Sequence, residues 1–141
     1  MNRRNLVLAA LAPGGGARYT PVQVQKLLFL IDRRIPAAVN GPHFNFQPYH
    51  YGPYDRAVYG ELNVLAAAGL VDIDDRHSVR SFALTVAGQR EGERLLNDLE
   101  PKARSFVVRI SEFVRNASFS DLVSAIYREF PDMRVNSVFQ S

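Results

Sequence analysis

The residues best suited to chemistry crowd into one stretch of this 141-residue chain, positions 44–62, FNFQPYHYGPYDRAVYGEL. Tyr49, His50, Tyr51 and Tyr54 together could carry out acid–base work. Lys26 is the amine that invites a catalytic reading, although a lone lysine on a helix flank is ordinarily solvated or ion-paired. No partner set accompanies these groups. The sequence has no cysteine, no GxSxG elbow and no phosphate loop, so nucleophile, base and orienting residue are not found together and an enzyme is not expected. Metal ligation fares no better. His43 and His50 straddle an expected strand, while Asp72, Asp74 and Asp75 lie on another. Adjacent Asp74 and Asp75 should point to opposite faces, and no zinc or calcium spacing is present. Neither a metal nor another cofactor is expected. The same stretch suits contact better. Tyr51, Tyr54 and Tyr59 beside Arg56 are residue types that dominate interfaces. The alternative is that all three tyrosines are core.

Composition bounds what these residues can belong to. A hydrophobic fraction of 47% and a charged fraction of 22% are those of an ordinary soluble globule. The length suits a single domain spanning 1–141, divided into a core at 1–84, C-terminal helices at 85–131 and a tail at 132–141. The absence of cysteine excludes a disulfide framework and a thiolate zinc site, and it fits a cytoplasmic location. The start, MNRRNLVLAALAPGGG, has a basic pair and a short apolar run, but 6–12 is short for a signal core, and Arg18 and a helix follow directly. No stretch approaches the roughly 18 apolar residues of a membrane span. The formal charge is a mild +3. All basic residues except Lys26 and Lys102 are arginine, which suits bidentate pairing with carboxylate or phosphate. They are spread along the chain, so charge alone does not point to nucleic acid.

The elements that would position the stretch follow from periodicity and punctuation. Arg3 to Leu11 is a short helix ended by Pro13 and the glycine run. Thr20-Pro21 opens a second, with the hydroxyl as N-cap and proline at the first helical position. There Val24, Leu27, Leu28, Ile31 and Ile35 share one face, while Gln23, Lys26, Leu30, Arg33 and Arg34 lie on another, and Pro36 stops it. Phe44 to Gln47 alternates like a short strand, which Pro48 ends or confines to an edge. Gly52-Pro53 then turns the chain, and Pro53 opens a helix with Tyr54, Val58, Leu62 and Leu65 buried. Gly69 suits a left-handed C-cap. Strands at 70–74 and 79–84 flank the turn Asp75-Arg76-His77-Ser78. Thr85 caps a helix whose Gly88 and Gly92 allow close packing, with Leu95, Leu96 and Leu99 on its apolar side. Pro101 starts a long helix with Phe106, Val107, Ile110, Phe113 and Val114 inward. Ser120 caps a last helix through Leu122, Val123, Ile126, Tyr127 and Phe130, stopped by Pro131. The tail keeps Met133, Val135, Val138 and Phe139, too apolar for a solvated end.

Helix, helix, helix, strand, turn, strand is a winged-helix order. The expected fold is therefore α+β and mostly helical, with a winged-helix-like core, a small antiparallel sheet and C-terminal helices. Another small α+β domain with a hairpin is the alternative. Winged helices often read duplex DNA with the third helix. Here that helix would present Asp55, Arg56, Tyr59, Asn63 and Ala67, with Glu61 nearby. The wing adds Arg76 and Arg80 but also Asp72, Asp74 and Asp75, and Arg18, Arg33 and Arg34 could contribute from elsewhere. A DNA-binding regulator acting through Arg56, Asn63, Arg76 and Arg80 is thus one reading. Protein contact, including a homodimer, is at least as good a use of so mixed a charge pattern.

VQKLLFLID at 24–32, FQPYHYGPYDRAVYGEL at 46–62, LAAAGLV and LTVAG together resemble the SocA-like antitoxin domain, also called the Panacea domain, over most of residues 20–131. FSDLVSAIYREFPD resembles the helical end of related bacterial proteins. Many members carry a tryptophan before the Gly-Pro element, and this chain has none. The tail from Met133 lies outside the resemblance. The resemblance implies a non-enzymatic protein of bacteria or phage that neutralises a toxin encoded next door, one group acting by delivering the toxin to a protease. Carried over by position, Gln25, Lys26, Tyr51 and Tyr54 are candidate contact residues, with Gly52 and Pro53 structural. Arg56 and Tyr59 complete the expected partner-binding set. A structural or dimeric module of phage defence or a mobile element is the third reading.

Overall fold

Helix α1, Arg3–Leu11, is capped by Asn2, whose side chain accepts the Asn5 N–H at 2.8 Å. Every residue from Leu6 to Ala12 is buried, which makes this helix the centre of the core. The computed structural model describes residues 1–139. Helix α2, Pro21–Arg34, starts with a full capping box between Thr20 and Gln23. Helices α3 (Ala57–Ala67), α4 (Val86–Asn97), α5 (Pro101–Asn116) and α6 (Phe119–Glu129) follow. Two antiparallel ribbons complete the chain, β1 (Gln47–Tyr49) with β2 (Gly52–Tyr54), and β3 (Val71–Asp74) with β4 (Ser81–Leu84). The fold is mostly helical α+β with small antiparallel sheets. One cluster of buried side chains includes residues from all six helices.

Glycine decides how closely α4 approaches. A Cβ on Gly88 would stand 1.9 Å from the Leu70 carbonyl oxygen, and one on Gly92 would stand 2.6 Å from that of Leu8. Both contacts are closer than any side chain permits, so α1 and the α3–β3 corner meet backbone directly. Gly69, at φ 79°, makes that corner. The Thr85 hydroxyl ties it, donating to the Gly69 carbonyl at 2.7 Å and accepting the Gly88 N–H at 3.0 Å.

Several expectations need correction. The strand expected over 44–47 is instead the ribbon 47–54, paired Gln47 with Tyr54, Pro48 with Pro53 and Tyr49 with Gly52. Two prolines oppose each other because a two-stranded ribbon has no outer ladder to serve. Phe44 and Phe46 alternate for another reason: Arg3 stacks over Phe44 at 4.8 Å, and Phe46 meets Phe29 edge-on at 5.5 Å. Helix α3 begins at Ala57, not Pro53, because the Asp55 carboxylate accepts the Ala57 N–H at 2.9 Å. Tyr54 therefore belongs to β2. On α2, Lys26 and Leu30 are buried although they lie off the apolar face. On α5 the inward line is Ala103, Val107, Ser111 and Val114, while Phe113 is exposed. Ser111 is drawn inward by the buried Tyr19 hydroxyl at 2.7 Å. Ser118 rather than Ser120 caps α6, accepting the Asp121 N–H at 3.1 Å. Among the described tail residues only Met133 is buried; Val135 and Val138 are exposed.

Gly88→Ala is expected to lose about 2–3 kcal/mol in chemical denaturation, since backbone must move to admit the methyl. Gly60→Ala, within α3 and with nothing within 4 Å of its Cβ position, is expected to gain about 0.5–1 kcal/mol.

Candidate functional site

The site is built upward from α2. The Gln25 side chain is buried and grips one residue of the facing chain at both ends. Its amide nitrogen donates to the Asp55 carbonyl at 3.0 Å, and its carbonyl accepts the Asp55 N–H at 2.9 Å. The Asp55 carboxylate then accepts the Asn45 N–H at 2.8 Å as well as that of Ala57. Two turns further along α2, buried Asp32 accepts the His43 and Phe44 N–H groups, each at 2.8 Å. The aromatic stretch is thus hung from two α2 side chains. The tail holds it from the other end. Val138 N–H donates to the His50 carbonyl and the Asn136 amide to that of Pro48, each at 3.0 Å.

Between α2 and the ribbon lies a cavity of about 250 Å³ lined by Val22, Lys26, Tyr49, Tyr54 and Tyr59, among others. Lys26 is 3% exposed. No hydrogen bond or ion pair engages its amine among the described residues. Burial lowers its pKa from 10.5 to about 8. The expectation of a solvated or paired lysine is therefore corrected: the ribbon covers the α2 face that helical periodicity had left open. Burial also pushes the Tyr59 phenol up, opposed by a hydrogen bond from Gln25.

Aromatic rings extend both ways from the ribbon. Tyr49 stacks on Tyr54 at 5.2 Å, Tyr54 meets Tyr59 at 5.9 Å, and Tyr59 lies parallel to Phe82 at 6.1 Å. On the other side Tyr51 meets Phe119 at 5.3 Å, and Phe119 meets Phe139 at 5.8 Å. Tyr49 is 52% exposed, Tyr51 45%, Phe119 45% and Val79 57%. A second, apolar cavity of about 440 Å³ runs between Val22, Val79 and Phe119. Val22 lines both cavities, so the exposed aromatics border one continuous surface.

The expected contact residues divide accordingly. Gln25 is buried, and its amide holds the Asp55 peptide. Tyr51 is exposed, Tyr54 and Tyr59 are half-buried, and Arg56 is exposed. Phe119, Val79 and Val22 were not anticipated; a cap at Ser118 would have placed Phe119 at the exposed first position of α6.

Of the residues expected for DNA, Arg76 and Arg80 are engaged by other side chains. Arg76 is held bidentately by Asp74, at 3.1 and 3.0 Å, and these bonds keep the Asp74 carboxyl well below the usual carboxylate range. Arg80 lies over the Tyr59 and Phe82 rings at 5.8 and 5.3 Å. Arg18, Arg33 and Arg34 pair with Asp72, Asp132 and Glu129. Arg56, at the N-cap of α3, and Asn63, on the helix, remain exposed. Among the described residues no three His, Asp or Glu side chains converge on a metal position. None of the described helices is long and apolar enough to cross a membrane.

Two measurements follow. Gln25→Leu strands the Asp55 N–H and carbonyl, and a loss of about 2 kcal/mol is expected. For Lys26, the folded amine releases its proton near pH 8 and the unfolded one near 10.5. Its destabilising cost is complete below pH 8 and fades as pH rises to 10.5. Lys26→Met is therefore expected to gain about 2–3 kcal/mol at neutral pH, an advantage that shrinks through that window. Denaturant titrations across the window check the sign. The chain matches no protein-family model, and no curated protein matches it.

Proposed function

We propose that this chain is a non-enzymatic protein-binding module of the SocA-like, Panacea type. It would act in the cytoplasm as an antitoxin that masks a toxin encoded beside it. The observation that carries this reading is the exposed apolar surface of Tyr49, Tyr51, Phe119 and Val79 around Val22. Large exposed patches of this kind mark interaction sites. Aromatic residues supply most of the energy at such interfaces. The ribbon that presents two of them is tied to α2 and to the tail, so little ordering remains when a partner arrives. A winged-helix use of α3 on duplex DNA is supported by the order α1, α2, α3, β3, β4 and by exposed Arg56 and Asn63. The paired and stacked arginines favour the protein partner, because duplex binding depends on cations free to replace counterions.

Affinity purification of the tagged protein from its own host is expected to recover one small protein in stoichiometric amount, free of nucleic acid. Tyr51→Ala and Phe119→Ala are each expected to weaken that complex by about 2 kcal/mol in calorimetry. Val86→Ala, at a more exposed apolar residue on α4, is expected to leave it unchanged. Recovery of nucleic acid without a protein would overturn the antitoxin reading in favour of the regulator. Self-association alone would favour a dimeric module.

A further inference from the structure

Lys26 is 3% exposed, and its amine has no hydrogen-bond or ion-pair partner among the described residues. The two carboxylates that anchor the aromatic stretch to α2 and α3 are already engaged. Asp55 accepts the Asn45 and Ala57 N–H groups, and Asp32 accepts those of His43 and Phe44. Gly52 forms the thin roof, at φ 104°; a Cβ there would stand 3.5 Å from the Lys26 nitrogen. Titratable groups face or adjoin the amine from three elements: Tyr49, His50, Tyr51 and Tyr54 on the ribbon, Tyr59 on α3, and Tyr127 on α6. None of these side chains is a carboxylate. No hydrogen bond engages the hydroxyls of Tyr49, Tyr51 or Tyr54 among the described residues.

An ammonium with so little access to water is stabilised by an anion or several acceptors, and the described residues supply neither. We infer that the cavity beneath the Tyr49–Tyr54 ribbon binds a carboxylate, with the Lys26 ammonium as its counterion and tyrosine hydroxyls as further donors. A planar monoanion matches a single ammonium and phenols. A phosphate does not, because no arginine lines the cavity and bidentate arginine is the usual means of holding one. A volume of about 250 Å³ admits a small acid or one side chain and its neighbour, not a nucleotide. The aromatic walls suit an apolar or flat body behind the carboxylate. Two sources share this chemistry, a free small acid and a carboxylate on a docked protein segment. The inference does not require the antitoxin reading, since the first source needs no protein partner.

The test uses the intact chain with lysine side chains labelled for NMR. Benzoate, and a tripeptide acid ending in tyrosine, are each titrated beside their uncharged amides. At least one acid is expected to raise the Lys26 titration midpoint and to shift the amide resonances of His50 to Asp55. Its amide is expected to bind about tenfold or more weakly, and Lys26→Met to lose the preference for the acid. Benzoate alone identifies a small-molecule site; the peptide acid identifies a partner segment. If neither acid moves the Lys26 midpoint, or if acid and amide bind wild type alike, the inference is wrong. The wild-type comparison stands even where Lys26→Met disturbs the fold. A partner that still binds in the purification while both acids fail would sink this site without touching the antitoxin reading.

Discussion

Two hydrogen bonds between the Gln25 side chain and the Asp55 peptide set where everything near the site stands. A buried amide that finds both a donor and an acceptor on one residue acts as a single rung of sheet. It holds Asp55 extended, and extended Asp55 can use its carboxylate to start α3 and to fix Asn45. With α3 placed, Tyr59 reaches Tyr54 and Phe82. With Asn45 and, through Asp32, His43 and Phe44 placed, the ribbon can only close over Lys26. Helix α2 is therefore a template that carries its polar cargo inside, and its continuous burial from Val24 to Asp32 is the consequence.

Local signals were legible in the sequence because their physics is local. Thr20-Pro21, Gly69, Thr85 and the Gly88/Gly92 pair do what caps, corners and close approaches require of those residue types, whatever lies far along the chain. The small, mostly helical α+β class followed from them. What stayed hidden depended on which face a distant segment covers. Helical periodicity put Lys26 and Leu30 off the core because it cannot see the ribbon. The alternation of Phe44 and Phe46 imitated a strand, but Arg3 and Phe29 impose it from outside. Phe113 looked inward because the hydroxyl network of Tyr19, Ser111 and Arg115, which rotates α5, joins residues far apart in sequence. Within the site, the tyrosines and Gln25 were legible as residues; the clamp, the empty-handed amine and the role of Phe119 were not.

The balance of charge and ring then shapes what the surface offers. Most arginines that could have formed a polyanion site instead hold carboxylates or lie on aromatic faces. Such exposed pairs add little stability, but they leave the aromatic ribbon and Phe119 as the distinctive feature of that side of the molecule. The tail, which lies outside the resemblance to SocA-like domains, packs against this same ribbon through Asn136 and Val138. Stability and recognition are thus coupled: the groups that hold the ribbon still are the ones that keep Tyr49 and Tyr51 exposed.

The claim beneath all of this is that the ribbon is a fixed part of the fold and not a loop that orders on contact. Native-state hydrogen exchange at the Asp55 N–H tests it most directly. This amide is expected to open only with α2, at the same free energy as the core amides of Leu27 to Ile31. Exchange as fast as at Asp75, in the exposed turn between β3 and β4, would contradict it.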